Sequence, residues 1–335
     1  MEEIKLNNVV FTDDANQRMV MGDTFNFALD KESGISMCWG ANLNETPEYD
    51  PISPQEIIMK IDKSFNLSTM LEDFNFLANI KVKVDQTEFK QIDNVLTALA
   101  MDNLTCLSTL ASVVLIFDEN LNEINMDELL QFTKYIKSFK IPLIIQTNCD
   151  TELTYTEVIK LKLLGTSIQI KTSDKFNADL FVKNIKTLKD NDILVSSKVN
   201  VTSDTYNEIL KVVDKLDKDT SMKLYFTMPY ITTKKYVTIQ NKFIEAKLEN
   251  VRIATCAHNK FNKRKANIYL QPMDCDASRF SVYVEDRTVY PCEYAKLNGI
   301  KIDDCKSIHD FWYSKNMNKM RNYIADNNFC KFISK

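Results

Sequence analysis

Cysteines are the side chains of this sequence best suited to chemistry, because thiolates bind metals and act as nucleophiles. The chain has eight of them. Four of the five in its last quarter form a candidate metal site: Cys275, Cys292, Cys305 and Cys330. Thiolate clusters usually include a close pair such as C-x-x-C, whereas the smallest gap here, between Cys292 and Cys305, is thirteen positions. The four could bind one iron–sulfur cluster or be ordinary thiols, and the spacing favours thiols.

Other residues that could carry catalysis are few. His258 lies in a basic segment and His309 in the first turn of a predicted helix, where capping or surface roles are usual. Cys38 and Cys149 could be reactive thiols or small buried residues, and burial is the commoner role. The sequence has no Walker loop, dinucleotide fingerprint or HExxH motif, and no supported Ser/His or Cys/His arrangement. No conventional active site is therefore predicted.

Composition and charge limit the class of protein. The chain is 44% hydrophobic and 26% charged, with 5 Gly and 7 Pro, which is typical of a folded, soluble protein and not of a disordered one. The sequence shows no secretory signal and no long apolar span, so we expect a cytoplasmic protein. Residues 257–335 contain 14 Lys and Arg against 9 Asp and Glu, whereas the whole chain carries −4. A nucleic-acid contact is possible at the basic segment 260–265, but a solvated linker is favoured.

The elements that position these residues follow from hydrophobic periodicity. Strands are predicted at 56–61, 112–117, 143–147, 167–171, 193–201 and 222–228, with helices at 126–139, 154–164, 178–189, 205–216 and 234–247. The region 63–110 has helical periodicity at 65–77 and 88–100 and an alternating segment at 80–84. Strands that alternate with helices predict a parallel sheet, either open and doubly wound or curled into a full or partial barrel.

Polar residues at the ends of the predicted strands are the candidate ligand contacts, because parallel sheets bind ligands at the carboxyl ends of their strands. The strongest candidates are Asp118, Asn148, Lys198 and Asn200. Glu119, Thr147, Lys171 and Thr227 occupy similar positions. Each of them could equally be an ordinary cap or loop residue.

Two further segments lie outside the alternating region. Thr24 to Trp39 predicts a β-hairpin with Gly34 in its turn. Residues 279–291 predict two strands joined at 285–287, and residues 307–326 predict an amphipathic helical stretch. A boundary is therefore expected between Tyr230 and Cys256.

The C-terminal segment resembles a SPASM extension. The matching features are Cys275, the sequence VYPC ending at Cys292, the pattern SI-x-x-x-W that ends at Trp312, and Cys330. The N-terminal segment, from Phe25 to Gly40 and then DPISPQEI, resembles the lead-in of radical SAM proteins encoded by bacteriophages. The resemblance implies a partial (β/α)6 TIM-like barrel with an N-terminal β-hairpin and a small SPASM-like α+β extension.

The radical SAM family needs three thiolates spaced CxxxCxxC after the first strand, which bind a four-iron cluster that holds and cleaves S-adenosylmethionine. This sequence has DKSFNLSTM there, and no cysteine occurs between Cys38 and Cys106. The glycine-rich acidic turn that the family places after the second strand is replaced by Phe117-Asp118-Glu119-Asn120. Two parts of the cofactor site are therefore missing from the sequence.

These features predict four parts: an N-terminal hairpin and lead-in (1–54), a radical-SAM-like partial barrel (55–230), a linker helix (231–256) and a SPASM-like extension (257–335). The favoured function is a catalytically inactive scaffold that binds a protein or peptide, with no cofactor, and that could be a viral accessory or assembly factor. One alternative is an enzyme that holds S-adenosylmethionine through Asp118, Asn148, Lys198 and Asn200. The other is an iron–sulfur protein with one cluster at the C-terminal cysteines.

Overall fold

A computed structural model describes most of the chain. The described residues are 2–6, 9–23, 25–31, 35–39, 54–78, 110–117, 124–139, 141–148, 150–164, 167–172, 176–202, 204–217, 220–226, 232–248, 251–253, 277–293, 296 and 299–326. The predicted strand at 80–84 and helix at 88–100 lie outside these ranges. Within the ranges, no helix has the length and apolarity that crossing a lipid bilayer requires.

The N-terminal part is an antiparallel sheet of five strands in sequential order. The strands are β1 (Glu2–Leu6), β2 (Val9–Asp13), β3 (Gln17–Met21), β4 (Asn26–Asp30) and β5 (Ile35–Trp39). The predicted hairpin is confirmed as β4 and β5, which pair in register from Asn26 with Trp39 to Asp30 with Ile35. The three earlier strands were not predicted, because charged and apolar residues are mixed in them.

The main sheet has ten strands among the described residues. In chain order they are β6 (Glu56–Ile61), β7 (Ser112–Phe117), β8 (Leu143–Asn148), β9 (Ser167–Lys171), β10 (Leu194–Val201), β11 (Ser221–Phe226), β12 (Val251–Ile253), β13 (Ser281–Glu285), β14 (Thr288–Tyr290) and β15 (Ile300–Lys301). Strands β6 to β12 are parallel and lie side by side in sequence order. A doubly wound sheet requires a reversal of that order, so the doubly wound alternative is wrong for this region.

Helices connect the parallel strands. They are α1 (Leu67–Leu77), α2 (Met126–Ser138), α3 (Tyr155–Leu164), α4 (Ala178–Lys189), α5 (Tyr206–Val213) and α6 (Thr233–Glu245). Right-handed crossovers that all step in one direction place their helices on one face of a sheet. The alternate strand residues Val113, Leu115 and Phe117 accordingly share one core with these helices. We call the opposite face of the main sheet the inner face.

The C-terminal segment joins the same sheet. Strand β13 pairs with β6 in parallel, with Ser281 beside Glu56 and Val284 beside Met59. The predicted helical stretch at 307–326 is two helices, α7 (Ile308–Trp312) and α8 (Lys315–Asp326). They separate at Ser314, whose hydroxyl accepts a hydrogen bond from the Met317 N–H at 3.2 Å and so caps α8. Trp312 is fully buried, with the Arg321 guanidinium 4.4 Å from its ring centroid.

The N-terminal sheet covers the amino-terminal half of the inner face. Leu29 of β4 is buried against Val114, Ile116, Ile144 and Tyr283. Phe25 and Phe27 pack on Phe280, just before β13, with ring centroids 5.3 and 5.6 Å apart. Apolar contacts therefore join the two sheets here, beside a buried hydrogen bond from Ser112 Oγ to Glu56 at 2.7 Å, while polar side chains occupy the half at the carboxyl ends of the strands.

The end of α6 allows a direct test of backbone strain. Lys247 is exposed, has φ of 54° and follows the helix in the left-handed conformation that glycine adopts without cost. We expect Lys247→Gly to raise the free energy of unfolding by about 1 kcal/mol in urea denaturation. Lys247→Ala is the matched control, because it removes the same charge but keeps Cβ; an equal gain in both variants would contradict the strain explanation.

Candidate functional site

Three strands place polar residues side by side at the carboxyl-terminal half of the inner face. In the strand register, Asn148 of β8 lies beside Lys171 of β9, which lies beside Lys198 of β10. Neighbouring parallel strands are about 4.8 Å apart, so the two lysines are close like charges. Lys198 is only 6% exposed. An anionic group is needed near such a pair, because burying unpaired charge is costly.

Glu293 supplies that anionic group. One carboxylate oxygen of Glu293 pairs with Lys198 Nζ, and the other lies 3.7 Å from Lys171 Nζ. The side chains of Lys198 and Glu293 are 8% and 10% exposed, so water screens this contact weakly. Glu293 follows Cys292 in the C-terminal segment. The extension therefore reaches across the inner face and bridges β9 and β10.

A second carboxylate also lies between two lysines, on the other side of the inner face. Glu285, at the end of β13, accepts a hydrogen bond from Lys60 Nζ of β6 at 2.7 Å and also pairs with Lys296. Burial alone would raise the pKa of Glu285, but the hydrogen bonds from Lys296 and Lys60 outweigh it and lower the pKa below its ordinary value. Glu285 is therefore ionised at neutral pH. Tyr283 Oη also lies within hydrogen-bond distance of it, at 3.4 Å.

Between these two ion-pair clusters, β8 presents two polar atoms without partners. Gln146 is 1% exposed, and its Nε2 has no hydrogen-bond partner in the part of the chain that the structure describes. Asn148 lies two residues further along the same strand face, and its buried Oδ1 is likewise unpartnered there. On the neighbouring strand, Gln169 Nε2 reaches Ser196 Oγ at 3.5 Å. Unpartnered buried polar groups are uncommon in folded proteins, and two of the eight such side-chain atoms among the described residues lie together on this face of β8.

The structure brings together three of the four predicted pocket residues. Asn148, Lys198 and Asn200 all belong to the inner-face set of alternate residues near the carboxyl ends of the strands. The backbone of Asn200 is fixed, since its N–H donates to Thr172 Oγ1 at 2.9 Å and its carbonyl accepts from Thr205 Oγ1 at 2.8 Å. Asp118 lies outside the described residues. Contact of these residues with a cofactor stays a prediction.

Sequence reasoning missed Gln146, Lys60, Glu285 and Glu293. Lys60 and Gln146 could have been found from the alternation of their strands, which puts both residues on the inner face. No sequence signal connects Glu285 or Glu293 with the lysines of the main sheet, because the pairing of β13 with β6 spans more than two hundred positions. That pairing positions both carboxylates.

The connection after β6 is where the radical SAM family would place its cluster loop. Five residues, 62–66, join β6 to α1. The Asp62 carboxylate accepts hydrogen bonds from the Ser64 N–H at 2.8 Å and from Ser64 Oγ at 2.6 Å, and Asn66 Oδ1 caps the helix by accepting from the Thr69 N–H at 3.0 Å. A four-iron cluster requires three thiolates here. The residues present do not fit it, because they contain no sulfur and their polar atoms stabilise a turn and a cap.

The C-terminal candidate metal ligands are only partly described. Cys292 and Cys305 are half-buried thiols, whereas Cys275 and Cys330 lie outside the described residues. Cys305 Sγ lies 3.5 Å from the Lys301 carbonyl, and burial, followed by Asp304 and Asp310, raises the pKa of this thiol. A raised pKa favours the protonated thiol, which is the weaker metal ligand. Among the described residues, no group of three or more His, Cys, Asp or Glu side chains is arranged to hold a metal; the four-cysteine site stays a prediction.

His309 and Cys38, two candidate reactive residues of the sequence, have well-defined surroundings in the structure. His309 is exposed on α7, with its ring centroid 4.7 Å from that of Tyr313. This agrees with a surface role. Cys38 is 4% exposed and belongs to the apolar cluster of Phe25, Phe27 and Phe280, so it is a packing residue. Cys149 lies outside the described residues.

Comparisons with known proteins give information on the fold. No protein-family model matches the chain, and no curated protein matches its sequence. The crystal structure of SuiB from Streptococcus suis, a radical SAM/SPASM-type enzyme, is similar at 12% identity and a TM-score of 0.50, over 95% of this chain and 90% of SuiB.

Two other similar structures have lower scores. Active domain 2 of a thermostable chitinase from Pyrococcus furiosus, solved with chito-oligosaccharides, has 10% identity and a TM-score of 0.32 over 62% of this chain and 74% of that one. PhdJ bound to a substrate intermediate has 9% identity and a TM-score of 0.30 over 62% of both chains. These two scores are too low to support an inference. The similarity to SuiB concerns the fold alone: the fold of this chain is similar to that of SuiB.

Proposed function

We propose that this chain is a radical-SAM-like scaffold that functions by binding a protein or peptide partner and not by radical chemistry. Its main sheet would then be a partial (β/α)6 barrel whose inner face holds the partner. A cytoplasmic location and a viral accessory or assembly role remain predictions that accompany this proposal.

The observation that carries the proposal is the connection 62–66. It is short, contains no thiol and leads directly into a capped helix, with Leu67 N–H also donating to Glu128 of α2 at 3.1 Å. A cluster loop would have to replace this turn, the Asn66 cap and the contact between the two helices. Loss of one ligand could be compensated locally, whereas this whole segment has a different structural role.

Retained features of the inner face support binding. The face has ordered polar groups at the carboxyl ends of its strands, where α/β proteins bind their ligands, and apolar packing closes its other half. SPASM-type enzymes, which the C-terminal segment resembles, commonly modify peptides or proteins. A surface suited to a polypeptide can persist after the cofactor site is lost.

The test is anaerobic purification followed by reconstitution with iron and sulfide, and then incubation with S-adenosylmethionine and a strong reductant. We expect no cleavage of S-adenosylmethionine to methionine, while a radical SAM enzyme prepared in parallel cleaves it. Cleavage by this chain would overturn the proposal.

Iron content tests the remaining alternative, an iron–sulfur protein with one cluster at the C-terminal cysteines. Cluster absorbance without cleavage, abolished in Cys292→Ser with Cys305→Ser, would replace the proposal with the iron–sulfur hypothesis. Colourless protein would contradict the iron–sulfur hypothesis. The double variant also serves as the control for iron bound adventitiously elsewhere, because such iron would persist in it.

A further inference from the structure

Gln146 and Asn148 offer one hydrogen-bond donor and one acceptor to a molecule that lies along β8. Both are on the inner face, and residues two apart on a strand are separated by about 7 Å. Gln146 is 1% exposed, and its Nε2, like Asn148 Oδ1, has no partner among the described residues. A ligand that fills this position must therefore carry an acceptor and a donor at that spacing.

The residues around this pair add a requirement of charge. Asn148 lies beside Lys171 in the register, and Lys171 lies beside Lys198. The anion that both lysines contact in this structure is the carboxylate of Glu293. A carboxylate is thus the group that fits this corner of the site.

We infer that the carboxyl half of the inner face binds an extended peptide segment that carries an acidic side chain. A peptide carbonyl accepts from Gln146 Nε2, and a peptide N–H two residues along donates to Asn148 Oδ1, since groups two residues apart in an extended chain repeat at the same spacing of about 7 Å. The acidic side chain lies at Lys171 and Lys198, where it exchanges with Glu293. This inference rests on the proposed function and names its ligand and contacts.

An amide that binds a ligand and an amide that stabilises the fold respond differently to substitution. An unpartnered buried amide atom, such as Gln146 Nε2 or Asn148 Oδ1, destabilises the empty protein, so removing it stabilises the fold and at the same time weakens binding. A structural amide behaves in the opposite way, because its removal breaks a bond. Stability and binding measured on the same variants therefore distinguish the two roles.

The experiment uses the full chain and a blocked tripeptide, N-acetyl-Ala-Glu-Ala-N-methylamide, with binding followed by calorimetry or NMR at millimolar concentrations. We expect Gln146→Met and Asn148→Leu each to weaken binding by about fivefold or more and to raise Tm by about 2 °C. The glutamine version of the tripeptide, which lacks the charge, is expected to bind more weakly. Glutarate, which lacks the amides, is expected to bind equally to wild type and both variants.

The matched control for stability is Gln169→Met. Gln169 occupies the same register position on the next strand and has Ser196 as its partner, so this variant is expected to lower Tm or leave it unchanged. A fall in Tm for Gln146→Met would overturn the inference, because the amide would then be structural. Absence of tripeptide binding would also overturn it, and it would leave the proposed function standing as long as S-adenosylmethionine is not cleaved.

Discussion

Replacing Arg287 with methionine is expected to lower the free energy of unfolding by about 2 kcal/mol at pH 7, because it removes the cation that faces a buried carboxylate. Arg287 lies in the turn between β13 and β14. Its Nη2 is 3.3 Å from Asp73 of α1, which is 1% exposed, and it also contacts Glu72 and Asp303. Without Arg287, three carboxylates remain at this junction. Chemical denaturation in urea measures the change.

Two variants show whether charge is the cause. In the double variant with Asp73→Asn, most of the lost stability should return, since no buried charge is left without its partner. Glu72→Gln is the control, because Glu72 is 58% exposed and exposed ion pairs contribute about 0.5 kcal/mol or less. At pH 5 most of the Asp73 carboxyl is protonated. If Arg287→Met lowered the free energy of unfolding as much at pH 5 as at pH 7, the cause would be lost packing and not lost charge.

The stability of the wild-type protein relative to Asp73→Asn is expected to fall by about 3 kcal/mol as pH rises from 3.5 to 7. Burial raises the pKa of Asp73 from 3.8 to about 6, although Arg287 opposes the shift. Between these two values the folded state holds a proton that the unfolded state has released. The free energy of unfolding therefore falls as pH rises through this window, and the decrease ends about one pH unit above the folded-state pKa, near pH 7.

The difference between the two proteins isolates this one group, since every other carboxyl titrates in both. Asp303→Asn is the matched control on the extension side, because Asp303 is 65% exposed and should leave most of the pH dependence in place. Parallel stability curves for wild type and Asp73→Asn across pH 4 to 6 would show that Asp73 titrates normally. Urea midpoints at half-unit intervals of pH are sufficient for the comparison.

Much of the main sheet could be predicted from the sequence. Runs such as 113–117 are apolar at every position because both of their faces are buried, and the helix between β7 and β8 has an amphipathic period. Strands β1 to β3 could not be predicted, since they are held by successive pairing of β1 with β2, β2 with β3 and β3 with β4, which local composition does not encode. Likewise, the break at Ser314 depends on a single cap within a continuous amphipathic pattern.

The site was predicted in part, for a physical reason. Asn148 ends β8 and Lys198 lies level with the end of β9 in the register, so the rule for parallel sheets finds them. Glu285 and Glu293 reach the lysines through a long-range strand pairing that local patterns do not encode. The unpartnered atoms of Gln146 and Asn148 are a property of packing, and only the arrangement of all their neighbours reveals them.

The pairing of β13 with β6 has a consequence for biosynthesis. A ribosome releases β6 early, but the strand that covers its open edge is made more than two hundred codons later. During that interval the hydrogen-bonding groups of Glu56–Ile61 face outward, and an open apolar edge invites pairing with other chains. The nascent chain therefore has a long period of exposure to aggregation, in which chaperone contact at β6 would have its greatest effect.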